Sequence, residues 1–253
     1  MKRLFAICLL LVFCCAASVH ADEDDPWKAR DSVIFGMPFL YQIVQPGNSG
    51  VITSLLETVY APDNLDFIHK PLPYVRILEA LKKGNIHCTL ALKDRIDGVL
   101  QGDVTVVTYD IAVAHLRTTP FAGVQSLAGR RVAARFGFGL SELLGVPFQY
   151  QPIYALSSGF HMLDRDHVKF VLGDRRLLRH AMWESHLSPA DFLFDDIGSY
   201  EVRVIFAPTE KGRRFLEIFN SRMKELRASG EIQTLMLSMG VTEADLDRIL
   251  KLN

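Results

Sequence analysis

The chain has 253 residues, 28 of them lysine or arginine and 29 aspartate or glutamate, for a formal net charge of −1. So even a balance gives no electrostatic case for nucleic acid as a partner. Three of the four cysteines, Cys8, Cys14 and Cys15, lie near the start. Cys88 alone serves the rest, which excludes an internal disulfide there and leaves stability to the core.

In chain order, Lys2 and Arg3 precede an apolar run from Leu4 to Ala17. Ser18-Val19-His20-Ala21 and the acidic Asp22-Glu23-Asp24-Asp25 follow. This is the three-part plan of a secretory signal, with Val19 and Ala21 at the positions a signal peptidase reads. The run is shorter than the roughly 20 residues that span a bilayer, so cleavage after Ala21 is expected rather than an anchor. Phe13 before Cys14 speaks against a lipidated cysteine, which normally follows a small residue. Cleavage removes Lys2 and Arg3 and no acid. Residues 22–253 then suit one large domain or two lobes, and no later segment is apolar and long enough to span a membrane.

Short β-branched runs alternate with helical periodicity from there on. Ser32–Phe35 and Leu65–His69 are predicted strands, and Val51–Tyr60 between them a helix with Ile52, Leu55, Leu56 and Val59 on one face. Pro73 opens a second helix (Tyr74, Ile77, Leu78, Leu81) that Gly84 ends. Further strands are predicted at Val104–Thr108, Ile111–Leu116, Val132–Ala134, Val168–Leu172 and Val202–Ala207. Thr209 can cap a helix carrying Phe215, Ile218, Phe219 and Leu226, with Gly230 beyond its end. Ile232, Leu235 and Met239 suggest a short helix, and Thr242 with Asp245 forms a capping box before Leu246 and Ile249. Strand–helix alternation of this kind predicts an α/β fold with mostly parallel sheets.

Several segments, in order, resemble the family 3 extracellular solute-binding proteins, the polar amino-acid receptors of ABC importers. They are Met37-Pro38-Phe39-Leu40-Tyr41, Pro73-Tyr74 with Ala80-Leu81-Lys82-Lys83-Gly84-Asn85, Lys93-Asp94-Arg95, Ser126 to Ala133, Phe170 to Asp174, and Phe219-Asn220 through Ile232. The resemblance implies an α/β, two-lobed type II periplasmic-binding-protein fold with a ligand cleft between lobes joined by two crossing strands. Lobe I is expected at 22–108 and 204–253, and lobe II at 109–203. It also implies a periplasmic monomer without cofactor that captures a small polar ligand, such as an amino acid, for an ABC permease in the cytoplasmic membrane.

An amino acid offers a carboxylate and an ammonium, so its receptor needs an arginine fork and an acid at fixed separation. By resemblance Arg95 takes the carboxylate and Asp174 the ammonium. Arg95 also reads as a solvated turn arginine, and Asp174 as a cap or a partner for Arg175 or Arg176. Tyr74 covers the ligand side chain in the family, though its helical face is also a core face. Phe39, Thr89 and Gly139 complete the expected ligand set, with Gly139 offering only a backbone donor at the Gly137-Phe138-Gly139 turn. Departures are plain: His87 and Lys169 stand where the family has acids, and Thr89 is the one hydroxyl in Cys88-Thr89-Leu90. Two other readings therefore stay open. His161, Asp164, Asp166 and His167 offer acid–base groups for a dehydratase-like enzyme, or ligands for a metal at a spacing that matches no established site. A partner or sensor protein with an eroded, ligand-free cleft is the other.

Overall fold

The computed structural model describes residues 31–251. The expected signal, residues 1–21, lies outside them. Strand β1 (Ser32–Gly36) pairs in parallel with β2 (Asp66–Lys70), and α1 (Val51–Tyr60) connects the two. Ile52, Leu55, Leu56, Val59 and Tyr60 are buried on one face of α1, as their spacing requires. Each such aliphatic side chain contributes about 1.5–3 kcal/mol when fully buried. Gly50 stands before α1 because a Cβ there would lie 2.5 Å from the Ile43 carbonyl oxygen. Helix α2 (Tyr74–Lys82) then leads to β3 (Cys88–Leu92), which lies on the other side of β1.

Two long strands carry the chain across the molecule. β4 (Leu100–Leu116) and β8 (Phe192–Phe206) run antiparallel, from Leu100↔Phe206 to Leu116↔Phe192. Their outer neighbours change along the way. β3 pairs with β8 over Val202–Phe206, whereas β7 (Phe170–Asp174) pairs with β4 over Ile111–Ala114. Beyond β7 lie β5 (Arg131–Arg135) and β6 (Gln149–Ile153), both parallel to it in turn. The sheet order is β2-β1-β3-β8-β4-β7-β5-β6. The second half also carries α3 (Leu140–Leu144), α4 (Leu156–Asp164) and α5 (Arg175–Glu184). Helices α6 (Glu210–Ala228), α7 (Glu231–Ser238) and α8 (Glu243–Lys251) return to the first half, where the Tyr60 hydroxyl donates to the Phe215 carbonyl.

One apolar cluster runs through both halves, from Val33 and Phe35 by way of Val107 and Ala112 to Phe160 and Val171. Separate clusters cover the other sheet face, around Ile77 and Ala207 in the first half and around Leu127 and Phe170 in the second. The two strands expected at Val104–Thr108 and Ile111–Leu116 are one continuous strand, with an irregularity between Ile111 and Ala112. The strand expected at Val202–Ala207 begins ten residues earlier, at Phe192. His161 and Asp164 sit on α4.

Candidate functional site

The halves meet along an aromatic seam. Tyr74 begins α2 and is held by its hydroxyl, which donates to the Leu90 carbonyl (2.9 Å). From the turn after β5, Phe138 stacks on it with ring centroids 5.0 Å apart and planes at 23°. Gly137 allows this approach: its φ is +87°, and a Cβ would lie 2.7 Å from Val75 Cγ2. A second stack joins Tyr41 to His180 of α5, at 3.7 Å and 7°. A stacked pair at the Tyr74–Phe138 separation contributes about 0.5–1.5 kcal/mol beyond its burial.

Behind the Tyr74–Phe138 pair lies a cavity of about 70 Å³, walled by side chains such as Met37, Leu90, Val107 and Leu177. That is less than half of the roughly 150 Å³ apolar cavity known to hold a benzene. It has room for a few waters at most.

A larger chamber of about 350 Å³ opens beside it. The first half contributes the segment from Phe39 to Pro46. The second contributes Arg135, Tyr154, Leu156, His180 and Glu184. Tyr154 stands exposed at the rim against Phe136. His180 and Glu184 pair at 3.3 Å across one helical turn. Arg135 ends β5 with its guanidinium carbon 6.0 Å from the Phe138 ring centroid. Its Nε is buried without a hydrogen-bond partner, and among the described residues no carboxylate pairs with it. Burial pulls the Arg135 pKa down, opposed by the nearby Tyr109 and Glu184; an arginine so placed still carries its charge.

The residues expected to bind ligand are not gathered in one place. Phe39 lines the chamber and Tyr74 the small cavity. Arg95 is exposed and borders a separate open cleft of about 420 Å³, which Lys93, Tyr200, Glu201 and, from the second half, Leu143 also line. Asp174 is fully buried and spent within the chain. One oxygen accepts from Arg176 N, Arg176 Nε and Leu177 N, the other from Arg176 Nη2 and Asp110 N. It caps α5 and neutralises Arg176, so no lone pair is left to receive an ammonium across a cavity shared with Arg95. Thr89 is buried as well, donating to the Gly36 carbonyl. Gly139 sits in the left-handed region ahead of the five-residue α3 and lines neither cavity itself, although its neighbours Phe138 and Leu140 line the smaller one. His161 and His167 flank a shallow depression on the second half, and Asp166 pairs with Lys169. Among the described residues no three or more His, Cys, Asp or Glu side chains are grouped to hold a metal.

Sequence reasoning missed Arg135, Phe138, Tyr154, His180 and Glu184. The available signals were thin: a lone arginine closing an apolar strand before a glycine turn, and a His–Glu pair at helical i, i+4 spacing.

No protein-family model matches the chain, and no curated protein sequence does. Solved structures match closely in shape. An arginine-binding protein mutant from T. maritima superposes with a TM-score of 0.69 at 15% identity, covering 85% of this chain and 97% of that one. A histidine kinase sensor domain with similarity to periplasmic binding proteins gives 0.69 at 14%, covering 83% and 96%. The GluR0 ligand-binding core in complex with L-glutamate gives 0.68 at 14%, covering 83% and 99%. With its crossing strands β4 and β8 joining two α/β halves, the chain has the two-lobed fold of the periplasmic binding proteins.

Proposed function

We propose that this chain is an exported solute-binding protein that closes its two lobes around a small ligand and presents it to an ABC permease. The chamber carries this reading: it is built by Phe39–Pro46 from one lobe and by Arg135, Tyr154 and α5 from the other. At about 350 Å³ it falls within the range of small-molecule sites, roughly 300–1,000 Å³. We place the hinge where β4 and β8 exchange outer neighbours, between Thr108 and Ile111 and between Gly198 and Val202. Delivery to a permease draws support from likeness to a substrate-binding protein of an amino acid ABC transporter. The test is native mass spectrometry of protein purified from its own host. A co-purified small molecule supports the reading.

One observation favours a second reading. The Tyr74–Phe138 stack and the packing of Gly137 on Val75 fill the inner cleft with the chain's own groups, and a histidine kinase sensor domain shares this fold. A lobe pair that closes on itself suits a sensor or partner protein. An empty chain in the native spectrum, together with specific capture of a membrane kinase, supports that role instead.

A further inference from the structure

We propose that the chamber between the lobes is a site for a small carboxylate with a flat apolar body and no ammonium group, anchored on Arg135. The inference rests on the solute-binding reading above.

Charge decides the class. Arg135 is half-buried and ends β5 facing the chamber, yet no described acid pairs with it and its Nε is orphaned. Its Nε is out of water while the rest of the half-buried guanidinium is not, and Glu184 acts on it only through space, so an anion that takes its donors is favoured. The planar fork matches a carboxylate in bidentate geometry. Phe138 backs the guanidinium from behind, leaving the donor edge for a ligand.

The remaining walls decide the body. Phe39, Tyr41, Tyr154, Leu156 and Leu177 supply aromatic and aliphatic surface. The stacked Tyr41–His180 pair offers a flat face across the lobe boundary. A planar apolar ligand laid beside that pair touches both lobes and so links binding to closure.

The absence of an ammonium follows from where the acids are. Asp174 is consumed by its own helix and by Arg176. Glu184 is the acid of the chamber, but it lies 53% exposed and already pairs with His180. An ammonium would have to displace His180 from Glu184 and from its stack on Tyr41.

Calorimetric titration tests this with three probes of one shape: phenylacetate, phenylalanine and phenethylamine. Phenylacetate should bind most tightly. Arg135→Gln should weaken it at least about tenfold, with Arg135→Lys in between, because a point charge retains attraction and loses the fork. Arg95→Gln should leave it within about twofold. Thermal melts establish that each variant is folded, and Arg135→Lys carries the test should Arg135→Gln fail to fold. Tighter binding of phenylalanine or phenethylamine overturns the proposal, as does phenylacetate affinity that survives both Arg135 variants. Should none of the three bind while a sugar, amine or peptide from a chemically diverse panel does, the carboxylate inference falls and the solute-binding reading stands. Should no compound bind at all, both fall.

Discussion

Replacing Asp174 by alanine should destabilise the whole protein rather than weaken a ligand. The side chain is 0% exposed, and its two oxygens receive backbone N–H groups from Asp110, Arg176 and Leu177 together with the Arg176 guanidinium. Losing an N-cap acceptor costs about 1 kcal/mol. Orphaning a buried donor costs about 1–3 kcal/mol more. The Arg176 guanidinium is 33% exposed and can rehydrate, so only part of the 3–5 kcal/mol typical of a broken buried pair applies. The sum is about 3 kcal/mol. For a domain of this size each kcal/mol lowers the midpoint by about 2–4 °C, so Asp174→Ala should melt roughly 6–12 °C below the parent. Asp174→Asn keeps one acceptor oxygen and should fall between. Differential scanning calorimetry with parallel ligand titration reads both effects. An unchanged midpoint combined with lost ligand affinity would refute this reasoning and restore Asp174 as a ligand acid.

Phe138→Ala removes the stack on Tyr74 and the ring beneath Arg135; at about 0.5–1.5 and 0.5–1 kcal/mol for these contacts, the closed form should lose roughly 1–2.5 kcal/mol. Spin-label distances across the lobes should then broaden toward a wider population, and an unaltered distribution would contradict the seam. His87 makes a pH prediction. Its buried ring accepts from the Ile34 N–H through Nδ1, and burial, assisted by Lys211, pulls its pKa below the ordinary 6.5. The unfolded chain therefore takes up the proton first. Stability should be complete above pH 6.5 and decline as pH falls through the folded-state pKa. His87→Asn, which can present Oδ1 to the same N–H, should flatten that part of a denaturation-midpoint profile; a profile identical to the parent would remove His87 as its source.

Much of the fold was legible in the residues because the first lobe is built from local signals. The face Ile52-Leu55-Leu56-Val59 defined α1 to the residue, and Thr209 does cap α6, accepting from Gly212 N. Half of the expected capping box is present, with Asp245 N donating to Thr242 Oγ1, while the Asp245 carboxylate accepts from the Thr242 hydroxyl. The first part of β8, Phe-Leu-Phe-Asp-Asp-Ile-Gly-Ser-Tyr, has no apolar alternation of its own. It is a strand because β4 offers it a full ladder of partners. Phe160, buried against Phe192 and Phe194 of that strand, likewise depends on tertiary neighbours. The candidate site was harder to see for a related reason. Its walls come from segments around Phe39, Arg135, Tyr154 and His180, which share no spacing rule. Arg135 differs from any strand-end arginine only in having no partner, a property that three-dimensional packing creates.

The most direct test of ligand capture between the lobes is small-angle scattering of the parent chain titrated with phenylacetate, alongside Arg135→Gln at the same concentrations. The account predicts a radius of gyration that falls, or an open population that disappears, in proportion to occupancy in the parent, and no change in Arg135→Gln. Saturable binding by calorimetry with identical scattering curves in both proteins would contradict it.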